Sequence, residues 1–479
     1  MTAWPSHGHR MDGAGIRLPY SPTVTGLAVS ALLLVQISCM TRDRSTLVNF
    51  SHLDHLSEDV TVEGNAVTIA RIYSRYPDYA WVDAKESGPE GIACVDDAAR
   101  AAVLCIRDFE LHGRPDGLKR AKGFLKFVLT MQADDGDFYN FVFEDRSINR
   151  DGRTSFKSFG WWAARGIWAL AAGARVYSEP DPVFAATLRR AVERSLPRVR
   201  ALVERYGEED VEAGFRIPLW LLYESGTDAT SELLLGLIEY YRVAPSDECA
   251  VMMRKLADGL MVMQDGGGDV FPFGLHRSWK TIWHMWGNGQ TQALAELGRI
   301  LDDSTMIASA RREADGWYVR LLCDGFAKEM DVRDPASRQE YEQIAYGVRP
   351  MAVGLIRLYE ATGRPEYLRM AGLAAAWLTG NNPVREPMYD PESGRGYDGI
   401  SSERSLNRNS GAESTIEALL TLTEVEKYPE ARKYLEYRRV SSTSADGSPR
   451  AVFVGPDGNR VTLTRDTTSG VVLTEGGEG

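Results

Sequence analysis

The sequence predicts an all-α fold, a closed ring of six helical hairpins, on three observations. Charged amphipathic stretches begin near Glu63, Pro115, Pro182, Asp247, Thr305 and Pro365, about 60 residues apart. Each is followed by a stretch that is small or apolar nearly all round: DDAARAAVLCI, WWAARGIWALAAGA, SELLLGLIEYY, NGQTQALAELGRIL, MAVGLIRLYEA and GAESTIEALLTL. A helix apolar on every side is buried, whereas one with a basic stripe such as LKRAKGFLKFVL faces water. The second stretches therefore read as an inner ring and the first as an outer ring, an (α/α)6 toroid over residues 61–437.

Punctuation repeats with the helices. Gly113 to Leu118 (GRPDGL) and Gly363 to Leu368 (GRPEYL) each open an outer helix, with proline in the first turn, where its missing N–H costs nothing. Met131 to Asp137 (MQADDGD) and Met263 to Asp269 (MQDGGGD) each close one. Loop length breaks the symmetry. The loops that enter the first, second, fourth and sixth inner helices are long, and long loops in a compact domain are usually functional. They carry the aromatic and acidic clusters YAWVDAKESGPEGIACVDD, DDGDFYNFVFEDRS, FPFGLHRSWKTIWHMWGNG and GNNPVREPMYDPESGRGYDGISSERSLNRNSGAES, all opening onto the N-terminal ends of the inner ring.

The two ends differ from the middle. Residues 1–39 read as an export signal: Val24 to Ser38 is an apolar run short for a membrane span, preceded by Arg10 and Arg17. Its end, VQISC, resembles a bacterial lipobox and makes Cys39 a candidate for lipidation, with plain secretion or an uncleaved anchor as alternatives; Met11 is an alternative start. The expected location is exported, in the cell envelope or outside the cell, with membrane anchoring through the N-terminus as the lipidated case. Residues 40–60 read as a linker. Residues 438–479 alternate apolar and polar positions around Pro456-Asp457-Gly458-Asn459, a hairpin signature, and read as a small β appendage or frayed tail.

Composition excludes several classes. A net charge of −12 over 479 residues, with no basic tract, argues against nucleic acid as a partner. Five cysteines (Cys39, Cys94, Cys105, Cys249, Cys323) lack CxxC or His-rich ligand spacing, so neither a structural metal nor a cofactor is expected, and Cys94 and Cys105 read as buried thiols. Oligomeric state is not legible.

Three motifs resemble known families. WLTGNNP, an aromatic loop and NRNSGAESTIEALL together resemble the C-terminal part of family 9 glycoside hydrolases, where such an element precedes the loop bearing the catalytic acid. WHMWGNGQTQAL resembles the tryptophan-rich entry to an inner helix in unsaturated glucuronyl hydrolases, and CVDDAARA and DGDFYNFVFEDR look like segments of helical toroids found beside sugar-processing enzymes. The resemblances agree on the six-hairpin glycosidase superfamily. They imply a carbohydrate substrate.

Glycoside cleavage needs two carboxyl groups flanking the bond, one protonated and one ionised. Asp96 and Asp97 are the first candidates, against the alternative that one merely caps the helix. The helix macrodipole there lowers a carboxylate's pKa, while the Asp-Asp repulsion raises one of the two. Glu413 is the second candidate, although Ser410-Gly-Ala-Glu413 also fits a capping box. In a closed ring the first and last inner helices are neighbours, so Asp97 and Glu413 are expected to face each other across one mouth, with Asp96 tuning Asp97. Asp398 is the reserve. Asp137, Glu144 and Asp145 form a third acidic cluster, beside Tyr139. Asn140, Trp161, Trp283, His284, Trp286, Asn288, Tyr397, Asp398 and Asn409 are expected to touch substrate, the tryptophans (with Trp162 and Trp279) by stacking on sugar rings or else as core. The expected activity is glycoside hydrolysis. A polysaccharide lyase or sugar epimerase on the same toroid would use Tyr397 or His284 as base with Arg395 and Arg404, and a non-catalytic glycan-binding protein or a terpenoid-type toroid completes the set.

Overall fold

The computed structural model describes residues 46–82, 91–443, 448–466 and 470–476; the export segment and Cys39 lie outside them. The chain enters through a short helix α1 (Ser51–Leu56) and a β-hairpin, β1 (Ser57–Val62) paired antiparallel with β2 (Asn65–Ala70). This corrects the expectation of an outer helix near Glu63. VTV-EG-NAVTIA has period 2 and β-branched residues, and Glu63 and Gly64 both take positive φ (49° and 79°), the turn that a two-residue hairpin favours.

Six helices form the inner ring among the described residues: α2 (Val95–His112), α4 (Trp161–Val176), α6 (Thr227–Val243), α8 (Gln290–Ile300), α11 (Ala345–Thr362) and α13 (Ala412–Glu426). Each packs on the next, and α13 returns to α2, closing the ring. Outside them lie α3 (Pro115–Thr130), α5 (Pro182–Glu204), α7 (Asp247–Val262), α9 (Ser304–Glu313) running through a π-helical turn (Ala314–Tyr318) into α10 (Val319–Asp324), α12 (Pro365–Ala375) and the short α14 (Pro429–Lys433). Each packs against the inner helix that precedes it. The sixth outer position is thus filled by α14, while the β-hairpin packs on α3.

Local chemistry sets the helix ends. Gly113 and Gly363 close α2 and α11 in the left-handed conformation that glycine adopts without strain, and Pro115 and Pro365 then open α3 and α12. Asp181, Ser246 and Asp303 cap α5, α7 and α9 through their side chains. Inner-helix alanines and leucines such as Ala98, Ala102, Ala171, Leu234, Ala293, Leu355 and Leu419 are buried, as helices covered on all sides require. Cys94 and Cys105 are buried free thiols.

Short strands brace the loops on the mouth side: β3 (Ile282–His284) pairs with β4 (Glu329–Asp331), and β5 (Gly399–Ser402) with β6 (Ser405–Asn407). The C-terminal segment is a four-stranded antiparallel sheet, β7 (Arg438–Thr443), β8 (Arg450–Val454), β9 (Arg460–Asp466) and β10 (Gly470–Gly476), in chain order. Ala451, Phe453, Val461, Leu463, Val471 and Leu473 form its buried face, which lies against α10, the π-helical turn and α12, so it is packed structure and not a frayed tail. Among the described residues, no helix is long and apolar enough to cross a membrane.

Candidate functional site

The N-terminal ends of the inner helices converge on a buried charge network. Arg100, on α2, donates from Nη2 to Asp97 Oδ1 (2.7 Å) and Glu413 Oε2 (3.1 Å), and from Nη1 to Glu417 Oε1 (2.9 Å). Arg349, on α11, donates to Glu417 Oε2 (2.5 Å) and Glu232 Oε1 (3.0 Å). Arg165, on α4, donates to Asp96 Oδ1 (2.5 Å) and to the Tyr346 hydroxyl, which in turn donates to Glu232 Oε1 (3.3 Å). Tyr346 lies under Arg100, whose guanidinium is 4.8 Å from the ring centre. Three guanidinium groups thus face five carboxylates, and the imbalance favours one carboxyl that keeps its proton.

Burial raises the pKa of Asp97, which is 3 % exposed, from 3.8 up to about 6; Arg100 pulls it down, while Glu413 and Asp96 add to the rise. The lowering expected from the helix terminus is overridden because the carboxyl has left water altogether. Cys94 Sγ donates to Asp97 Oδ2 (3.3 Å). Glu413, by contrast, keeps 45 % of its side chain exposed. Tyr73 brings its hydroxyl into the same corner, where burial and then Asp97, Cys94, Glu413 and Asp398 hold it protonated.

The capping alternatives do not hold. Neither aspartate caps α2; Asn140 does, its Oδ1 accepting from Val95 N (3.1 Å) and Asp96 N (3.4 Å) while its Nδ2 donates to Asp96 Oδ2 (3.0 Å) and Thr154 O (3.1 Å). Asn140 is buried and fully committed, which corrects its reading as a substrate contact. Glu413 belongs to no capping box. Ser410 Oγ donates to Gly396 O (2.8 Å), and Asp398 serves α13 instead, accepting from Gly411 N (2.8 Å) and Ser414 Oγ (2.7 Å). Burial raises the Asp398 pKa against those two hydrogen bonds, so Asp398 is a cap held beside the site.

Opposite, Trp286 and Trp161 are half-buried with ring centres 5.8 Å apart. His284 stacks on Trp286 at 3.7 Å, its Nδ1 donating to Trp286 O (2.7 Å) and its Nε2 meeting Asp228 Oδ2 (2.9 Å). A carbonyl only accepts, so Nδ1 is the donor in its bond to Trp286 O, and Nε2 faces Asp228. Asn288 is buried, and its Oδ1 has no hydrogen-bond partner among the described residues.

Trp283 corrects another expectation. It is 0 % exposed and packs edge-on against Trp317 at 4.9 Å, so it offers no face to a sugar. Trp162 is buried too, donating from Nε1 to Phe138 O (2.8 Å), while Trp279 is half-buried beneath Lys280. Tyr397 and Asn409 sit at the rim, with Arg408 over the Tyr397 ring at 5.6 Å and Asn409 Oδ1 accepting from Tyr76 N (3.1 Å). Arg395 lies over Tyr79 at 3.9 Å and Arg404 is exposed. No hydrogen bond or ion pair among the described residues joins either arginine or Tyr397 to His284. The third acidic cluster is engaged elsewhere: Asp137 with Arg198 of α5 (2.8 Å), Glu144 with Arg71 (3.1 Å) and Asp145 with Ser147 in a local turn. Among the described residues no group of three His, Cys, Asp or Glu side chains is placed to hold a metal ion.

Sequence reasoning passed over Arg100, Arg165, Glu232, Tyr346, Arg349 and Glu417. Their signal is a charge inside a helix apolar on every side, as in DDAARAAV and STIEALL, which marks a residue turned toward the ring axis.

No protein-family model matches the sequence, and no curated protein does. Solved structures do. A cellobiose 2-epimerase from Bacillus thermoamylovorans B4167 superposes with a TM-score of 0.56 at 10 % identity, over 80 % of this chain and 96 % of that one. The cellobiose 2-epimerase from Spirochaeta thermophila DSM 6192 gives 0.53 at 12 %, over 79 % and 94 %. A sugar epimerase from a ruminal bacterium gives 0.53 at 12 %, over 78 % and 94 %. At such identities the likeness shows the fold alone: an (α/α)6 toroid.

Proposed function

We propose that this chain is an enzyme that performs acid-base chemistry on a carbohydrate at the mouth of the ring, and that the reaction is glycoside hydrolysis. One observation carries this reading: Asp97 and Glu413 meet on a single nitrogen of Arg100 in opposite environments, one buried with a raised pKa and one open to solvent. Asp97 donates its proton to the glycosidic oxygen as the C–O bond breaks, and Glu413 attacks the anomeric carbon or takes a proton from the water that does. Trp161 and Trp286 supply aromatic faces for the ring, and Asn288 Oδ1 an acceptor for a hydroxyl.

Solved toroids that share this fold favour a second reading, sugar epimerisation, in which a proton is removed from carbon and returned to the opposite face. Incubation of the purified protein with a panel of oligosaccharides in D2O separates the two. New reducing ends without carbon-bound deuterium support hydrolysis; deuterium in an otherwise intact, epimerised sugar overturns it in favour of the second reading.

A further inference from the structure

A cavity of about 430 Å³ lies apart from the charge network, between α10, α12, the loop after α12 and the first strand of the C-terminal sheet. Its volume is within the range of small-ligand sites. Leu322, Phe326 and Trp377 form an apolar floor, and Tyr341 stands half-buried at its side. The rim carries both signs in equal number, Asp324, Glu340 and Glu403 against Arg385, Arg404 and Arg439. Asn382, also in the wall, is 5 % exposed; its Nδ2 donates to Trp377 O (2.8 Å) and Glu386 O (2.7 Å), while its Oδ1 has no partner among the described residues. An acceptor left unsatisfied in a buried wall is unfavourable unless something occupies the space beside it.

We propose that this cavity is a second carbohydrate-binding site. An apolar floor with an aromatic side suits the face of a pyranose ring, and a rim of alternating donors and acceptors suits hydroxyls, which do both. The balanced charge disfavours a polyanion such as nucleic acid or an anionic lipid surface. Gln343 joins the cavity to the mouth. Its side chain accepts from Trp377 Nε1 (3.1 Å), and its backbone exchanges hydrogen bonds with Ile400 (3.0 and 2.9 Å), two residues beyond the Asp398 cap.

The test is affinity electrophoresis of the full chain carrying Asp97→Asn, in native gels containing hydroxyethylcellulose, arabinoxylan or galactomannan. At least one polymer is expected to retard the protein. Tyr341→Ala and Arg385→Ala, both melting at the parent temperature, should each weaken that retardation at least about fivefold, the loss of one good contact. Trp286→Ala should leave part of it in place. Absence of retardation by any polymer overturns the proposal, as does retardation abolished by Trp286→Ala and untouched by both cavity variants. Because the assay reads binding without turnover, its outcome is independent of whether the mouth hydrolyses, epimerises or does neither.

Discussion

Asp97 and Glu413 bind the same nitrogen, Arg100 Nη2, at 2.7 and 3.1 Å, although they come from the first and last inner helices of the ring. The Asp97 side chain is 4 % exposed and that of Glu413 45 %, although the two share one counter-ion.

Replacing each carboxyl by its amide keeps the shape and removes the ionisation. Asp97→Asn and Glu413→Gln should each lower turnover by at least about a hundredfold, the lower range for acid-base groups. Turnover of both within about threefold of the parent would exclude the pair.

The pH dependence follows from the sign of the shift. Between about 4 and about 6 the folded state keeps the Asp97 proton while the unfolded chain has lost it, so this group's contribution to stability falls as pH rises through that window. Asp97→Asn should remove that decline in urea denaturation. As the acid, Asp97 must be protonated, so kcat/KM should fall as pH rises through about 6. A profile flat between pH 5 and 7 would contradict the assignment.

His52 acts in the opposite direction. Burial, partly opposed by its hydrogen bond to Ser410 O, lowers its pKa to about 4. The unfolded chain takes up the proton first, so the stability due to His52 is complete above about 6.5 and lost as pH falls toward 4. His52→Gln, which can still donate to Ser410 O, should flatten the acid side of the stability profile; an unchanged slope would show that His52 is not the group responsible.

Arg100 is expected to hold the network together. Arg100→Met leaves Asp97 without its cation and Glu417 with Arg349 alone, and breaking such a buried pair costs about 3–5 kcal/mol. Unfolding free energy within about 1 kcal/mol of the parent would mean that the carboxyls simply take up protons.

The two neighbouring tryptophans should separate. Trp283→Ala opens a cavity in the core and should cost about 3–5 kcal/mol of stability. Trp286→Ala should mainly raise KM, because its ring is half-buried at the mouth. The reverse pattern would move the mouth away from Trp286.

These contrasts show what the sequence carries. The ring was legible because apolar stretches such as WWAARGIWALAAGA leave a helix no exposed face. The meeting of Asp97 and Glu413 was legible too, since closure makes the first and last inner helices neighbours. Arg100 was not, because a lone basic residue in an apolar run looks like an interruption until the helix phase turns it to the axis. Trp283 and Trp286 were indistinguishable for a related reason: what buries Trp283 is pairing with Met330 across β3 and β4, a long-range event with no local signature. The hairpin at Glu63 was misread because Glu58, Asp59 and Glu63 suggested a charged helix and masked an alternation of period 2.

Closure of α13 onto α2 also sets when the site can exist during biosynthesis. Asp97 leaves the ribosome early, and Glu413 follows only after four further inner helices have been made. At about 5–20 residues per second that is an interval of tens of seconds, during which Arg100, Asp97 and their half of the ring have no partner to close against. A chain stalled anywhere before α13 carries Asp97 and Arg100 without Glu413, so under the proposed function a nascent or prematurely terminated copy is expected to be inert until nearly the whole ring is complete.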